Sequence, residues 1–119
     1  MISIKPNHLE QVIEIEVEGK IMKHDIEEFE TYMEQKREDG EKLDLLMEIR
    51  ELDGYTMKGL MEELKFDTSH WNDFNKIAVI SEKQWVEFST KMSGILPKVE
   101  VKHFKPGERD VAIDWLRNI

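Results

Sequence analysis

The sequence predicts an α/β fold: a mixed, mostly parallel five-stranded sheet with about four helices, in the order β-β-α-β-α-β-α-β-α. Two patterns point to it. Short apolar runs bounded by Gly, Pro, Asn or Asp recur along the 119 residues, and the segments between them repeat apolar residues at helical spacing. Strands separated by helices pair in parallel through right-handed crossovers, whereas the first two strands need only a turn and add an antiparallel edge.

The elements follow in order. Ile2 and Ile4 alternate with Ser3 and Lys5 before Pro6-Asn7, the pattern of a short strand closed by a turn. From Val12 to Glu18, Ile13, Ile15 and Val17 face one way and Glu14, Glu16 and Glu18 the other, which reads as a strand with one wet face. After Gly19-Lys20, Asp25 with Glu28 forms an acidic variant of the capping box, opening a helix striped by Ile26, Phe29, Tyr32 and Met33 and stopped at Asp39-Gly40. Leu43 to Ile49 is a buried strand, followed by a polar loop from Arg50 to Tyr55. Thr56 is placed to cap a helix to about Trp71, in which Met57, Leu60, Met61 and Leu64 fall on one face.

Asn72-Asp73-Phe74 turns the chain into a short buried strand, Lys76 to Ile80. Ser81 with Gln84 is a capping box for a helix striped by Trp85, Phe88, Met92, Ile95 and Leu96 and ended by Pro97. Val99 to Phe104 is the last strand, and Pro106-Gly107 leads to a last helix with Val111, Ala112, Trp115 and Leu116 inward. No linker or internal repeat divides these elements, so residues 1–119 read as a single domain.

Composition narrows function. Seventeen Lys and Arg against 26 Asp and Glu give a formal charge of −9, a field that repels phosphate backbones and argues against nucleic acid. No apolar run approaches the roughly 20 residues that span a bilayer. There is no cysteine, which excludes disulfides, thiolate metal sites and cysteine nucleophiles. The first residues lack a basic-then-apolar signal pattern, so the expected location is cytoplasmic.

Candidate chemistry is sparse. None of His8, His24, His70 and His103 has another histidine at ligand spacing, and no metal or cofactor is implied. Asp67 and His70 share a helix face, where a solvated Asp and a His favoured by the helix dipole are the simpler reading. Asp44 and Glu48 flank Leu46 on the second face of an inner strand. They are expected to sit near strand ends or to meet a Lys or Arg from a covering helix, and a functional carboxylate pair is the lesser reading. Glycine-rich phosphate loops and nucleophile elbows are absent. Thr56 and Ser81 stand at strand-to-helix turns, which suit ordinary caps or an anion. Met57, Met61 and Met92 beside Trp85 and Phe88 read as core packing, or else as a pocket between two helices for an apolar ligand.

The element order, the segment LLMEIRELDGYTMKGLMEELKF and the following FNKIAVISEKQW resemble the SpoIIAA-like branch of the STAS domains. The likeness covers essentially the whole chain, from the GKI turn to the final V-x-x-F strand. In anti-sigma-factor antagonists of this fold, the loop before the second helix resembles D-S-S-G-L, and the serine next to the glycine is phosphorylated to switch partner binding. Aligned on Gly59-Leu60, this chain has Thr56 at the family's aspartate, Met57 at the first serine and Lys58 at the phosphorylated one. The resemblance therefore implies a module without the usual phosphate switch. The branch is also similar to the lipid-carrying SEC14 or CRAL-TRIO fold.

Two functions follow as expectations. The first is a non-enzymatic STAS-like regulatory module that binds a partner protein or itself through Asp53, Tyr55, Thr56 and Lys58, where Tyr55 offers large contact area at little rotamer cost. The second is a carrier of a hydrophobic small molecule or lipid. It would hold its ligand with Met57, Leu60, Met61, Leu64, Trp85, Phe88 and Met92 and touch membranes transiently through such apolar residues. An enzyme built on Asp44, Glu48 or a histidine ranks below both.

Overall fold

The computed structural model of the chain describes residues 1–9, 11–36, 42–52, 74–82 and 99–118. Five strands, β1 (Ile2–Lys5), β2 (Val12–Gly19), β3 (Leu43–Leu52), β4 (Phe74–Ser81) and β5 (Glu100–Phe104), form one sheet in the order β1-β2-β3-β4-β5. The β1–β2 pair is antiparallel and the other three pairs are parallel, the mixed sheet that the sequence predicts. Two helices are described, α1 (Lys23–Lys36) and α2 (Arg109–Arg117). The helices expected over 56–71 and 81–97 lie outside the described residues. Among the described residues, no helix is long and apolar enough to cross a membrane.

Alternation along the strands sorts the core onto two faces. Ile13, Ile15, Leu45, Met47, Ile77 and Val79 pack on one face with Phe29 and Met33 of α1. The Phe29 and Phe74 rings stack at 6.4 Å. Val12, Leu46, Ala78, Ile80 and Phe104 pack on the other face with Ala112 and Leu116 of α2, and the Trp115 ring lies 5.9 Å from that of Phe104. β3 and β4 are therefore apolar on both sides, which is why their sequences read as continuous runs.

Several boundaries differ from expectation, each for a local reason. α1 begins at Lys23 rather than at an Asp25 cap. Asp25 sits in the first turn, where its Oδ2 accepts the Met22 backbone N–H at 2.8 Å, the reach-back half of a capping box. β3 runs on through Arg50 to Leu52, beyond the expected end at Ile49, because a register shift lets Gly19 pair with Leu52. Phe74, expected in a turn, opens β4 opposite Leu43. Ser81, expected as a helix cap, closes β4 in register with Ile49, and the helix it would open is outside the described residues. Val111, expected inward, is 53% exposed, because the buried stripe of α2 runs through Ala112 and Leu116 one helical turn apart.

The connection from β5 to α2 is a tight turn. Glu108 N–H donates to the Lys105 carbonyl at 3.0 Å across Pro106 and Gly107, and Gly107 has φ +89°, as a type II turn requires. A Cβ at Gly107 would meet nothing within 4 Å, so the glycine answers to backbone conformation alone. Gly107→Ala is expected to lower unfolding stability by about 1 kcal/mol, with Gly107→Asn costing less, measured by urea denaturation.

Candidate functional site at the carboxyl ends of the strands

The α2 side of the sheet carries a band of charge where an open surface was expected. Glu14 is buried, and both of its carboxylate oxygens accept from Arg109 at the start of α2, at 3.0 Å from Nε and 2.7 Å from Nη2. Glu16 has a side chain only 14% exposed, with Lys5 Nζ at 2.5 Å and Arg50 Nε at 2.8 Å. The wet face assigned to β2 is thus corrected. Arg109 covers Glu14, and two cations flank Glu16. Glu18 alone of the three is exposed.

Register explains why Glu16 needs both cations. It lies directly beside Glu48 across the β2–β3 pair, an unfavourable like-charge contact, and Arg50 Nε stands 3.8 Å from Glu48 as well. The Lys5 hydrogen bond, helped by the Lys5 and Arg50 charges, holds the Glu16 carboxyl below the ordinary carboxylate range against the opposing effect of burial. The Glu14 hydrogen bond strengthens the hold of Arg109 on its proton.

Beside this band, a cleft of about 220 Å³ opens at the carboxyl ends of β3 and β4. It is lined by Glu48, Ile49, Arg50, Glu51, Ile80, Glu82 and Pro106. Ile80 and Pro106 give it an apolar wall, and three glutamates face one arginine around it. Such a lining suits a segment with a cationic head on an aliphatic stem.

The partner-binding residues expected from sequence, Asp53, Tyr55, Thr56 and Lys58, lie outside the described residues. So do Met57, Leu60, Met61, Leu64, Trp85, Phe88 and Met92, and His70 with Asp67. In the sequence Asp53 follows directly on β3, which ends at Leu52 and lines the cleft with Glu48 to Glu51. The remaining histidines are dispersed. His8 and His24 are exposed, in the connection before β2 and at the start of α1 after it, and His103 Nε2 is 3.0 Å from the Ser81 carbonyl. Among the described residues, no group of three His, Asp or Glu could hold a metal ion.

Asp44 and Glu48 are not brought together as a pair. Asp44 Oδ1 accepts the Lys76 backbone N–H at 3.2 Å near the amino end of β3, whereas Glu48 faces Arg50 near the other end. The expected cation from a covering helix does exist, as Arg109; it bonds Glu14, and its charge also interacts with that of Glu48. The pattern that could have revealed this lies in α2, whose apolar stripe needs a sheet face to rest on and so covers the face that bears Glu14.

Residues 12–117 match the family model described as SpoIIAA-like. The chain belongs to the SpoIIAA-like family. Its fold is also that of a solved structure, the crystal structure of an uncharacterized DUF3478-family protein with a SpoIIAA-like fold from Shewanella loihica. The two share 24% identity at a TM-score of 0.70, over 98% of this chain and 92% of the other. No curated protein matches the chain. In this SpoIIAA-like chain the cleft is a feature of the sheet's carboxyl edge, at the ends of β3 and β4.

Two carboxyls make opposite contributions to stability. Burial raises the Asp44 pKa despite the Lys76 N–H and charge, so its ionisation destabilises the fold as pH rises from the ordinary carboxylate range through the raised value. Asp44→Asn, which keeps an acceptor for that N–H, is expected to raise the melting temperature at pH 7, with the gain vanishing in acid. For Asp25, burial pushes the pKa up, but the Met22 and Ile2 backbone N–H groups, the amino-terminal charge and His24 together hold it below the ordinary range. Its stabilisation is present above the ordinary value and is lost as pH falls through the lowered one. Asp25→Asn is accordingly expected to lower the melting temperature at pH 7, the deficit shrinking in acid; paired thermal melts across pH check both.

Proposed function

We propose that this SpoIIAA-like chain is a regulatory protein-interaction module of the STAS type that acts by binding, without chemistry on its partner. The recognition surface in this reading is the carboxyl edge of the sheet. It comprises the cleft at β3 and β4 and the loop with Asp53, Tyr55, Thr56 and Lys58 that follows β3. One observation supports it above the others: the cleft, with glutamates on its rim and Ile80 and Pro106 on its wall, lies at the end of the strand that leads into that loop. Lys58, where phosphorylated family members resemble serine, keeps a fixed positive charge in the loop, so binding proceeds without a phosphate switch at that position.

The partner is a protein surface with basic side chains that meet Glu48, Glu51 and Glu82, and an aromatic-accepting pocket for Tyr55. Affinity capture from the native cell, followed by titration of the captured protein, tests this. Tyr55→Ala and Glu82→Lys are each expected to weaken binding at least about tenfold while leaving the melting temperature nearly unchanged, as hot-spot and rim positions do. The contrary result is bare protein with no stable partner and no self-association in sedimentation, or native mass spectra in which a lipid copurifies and is lost on Met61→Glu. The latter would assign the chain to the carriers instead.

A further inference from the structure

We infer that α2 is a releasable latch: it undocks from the sheet as a unit, held chiefly by charged clamps at its two ends, while the five strands stay folded. This is independent of which partner the cleft takes.

The apolar contact beneath α2 is small. Among the described residues, the buried cluster on its side of the sheet has seven members against fifteen on the α1 side, and α2 contributes only Ala112 and Leu116 to it. Ile113 and Trp115 add partial cover. A helix of nine residues does not persist in water without packing. Its first turn has no side-chain cap, and Arg109 stands at the amino end, where the helix dipole disfavours a cation.

What holds each end is electrostatic. At the amino end the Arg109 guanidinium grips both oxygens of Glu14 on β2, reaching past β3 from a helix that lies mainly over β4. At the carboxyl end Lys76 of β4 donates from Nζ to the Trp115 carbonyl at 3.0 Å and to the Asn118 carbonyl, and its ammonium lies 5.1 Å from the centre of the Trp115 ring. A cation on the last carbonyls is where the dipole favours one. Each clamp depends on a single basic side chain, and Arg109 is 47% exposed, so water competes for both.

Release has a specific result. Leu46, Ala78, Ile80 and Phe104 would lose their cover, and Ile80 with Pro106, the residue before the α2 turn glycine, also lines the cleft. Undocking therefore extends the cleft into an apolar strip along β4.

Hydrogen exchange by mass spectrometry on the full chain tests the latch. In the unmodified protein the α2 amides are expected to exchange faster than those of β3 and β4, by an opening smaller than global unfolding. Arg109→Gln and Lys76→Gln should each speed α2 exchange by about tenfold and leave the β3 and β4 amides close to unchanged. The double variant Glu14→Leu with Arg109→Leu, which replaces the clamp by apolar contact, should restore α2 protection. The latch is overturned if α2 exchanges no faster than the strands, if either single variant moves all amides together or leaves α2 unmoved, or if the double variant stays as open as Arg109→Gln.

Discussion

A sheet whose inner strands are apolar on both sides must be covered on both sides, and this constraint organises the molecule. Leu45, Met47, Ile77 and Val79 demand a layer on one face, and Leu46, Ala78 and Ile80 demand one on the other. α1 meets the first need with Phe29 and Met33. On the second face the described layer is the nine residues of α2, placed there by the Pro106-Gly107 turn that folds the chain back over β4. Among the described residues, this short element shares that face with the polar side chains of Glu14, Glu16 and Glu48.

Those polar side chains are arranged as the low dielectric beside a packed sheet face requires. A buried carboxylate without a partner would cost several kcal/mol or give up its charge. Glu14 has Arg109, and Glu16 has Lys5 and Arg50. Asp44 has a backbone N–H, yet it remains disfavoured as an anion. The acids nearest one another are thus engaged in holding strands and helix together. The cleft beside them keeps Glu51 and Glu82 on its exposed rim.

The strands were legible because period-two alternation and continuous apolar runs survive in the sequence wherever burial is complete. Ile13, Ile15 and Val17 specified a face, and Leu43 to Ile49 specified an inner strand. The ends were less legible. Arg50 and Glu51 look like loop residues, but the pairing that carries β3 to Leu52 comes from a register shift in β2, a property of the partner strand. Glu14 was misplaced for a similar reason. In one dimension it is indistinguishable from Glu16 and Glu18, and its burial follows from a helix whose arginine is 95 residues away. Asp25 carried a correct capping signal read three positions off, since an acidic residue can serve at the cap or in the first turn. The site residues expected from sequence, Asp53 to Lys58, lie outside the described residues, and the charge that lines the cleft comes from the ends of β3 and β4, which read in the sequence as loop and cap.

The order β1-β2-β3-β4-β5 has one more meaning. In open parallel sheets, nucleotides and similar ligands settle where neighbouring connections depart in opposite directions and leave a crevice between them. Here each strand lies next to its predecessor across the whole sheet, so the strand order contains no such reversal. The cleft at the ends of β3 and β4 is therefore a product of side chains at two neighbouring strand ends, not of a switch in the chain's direction.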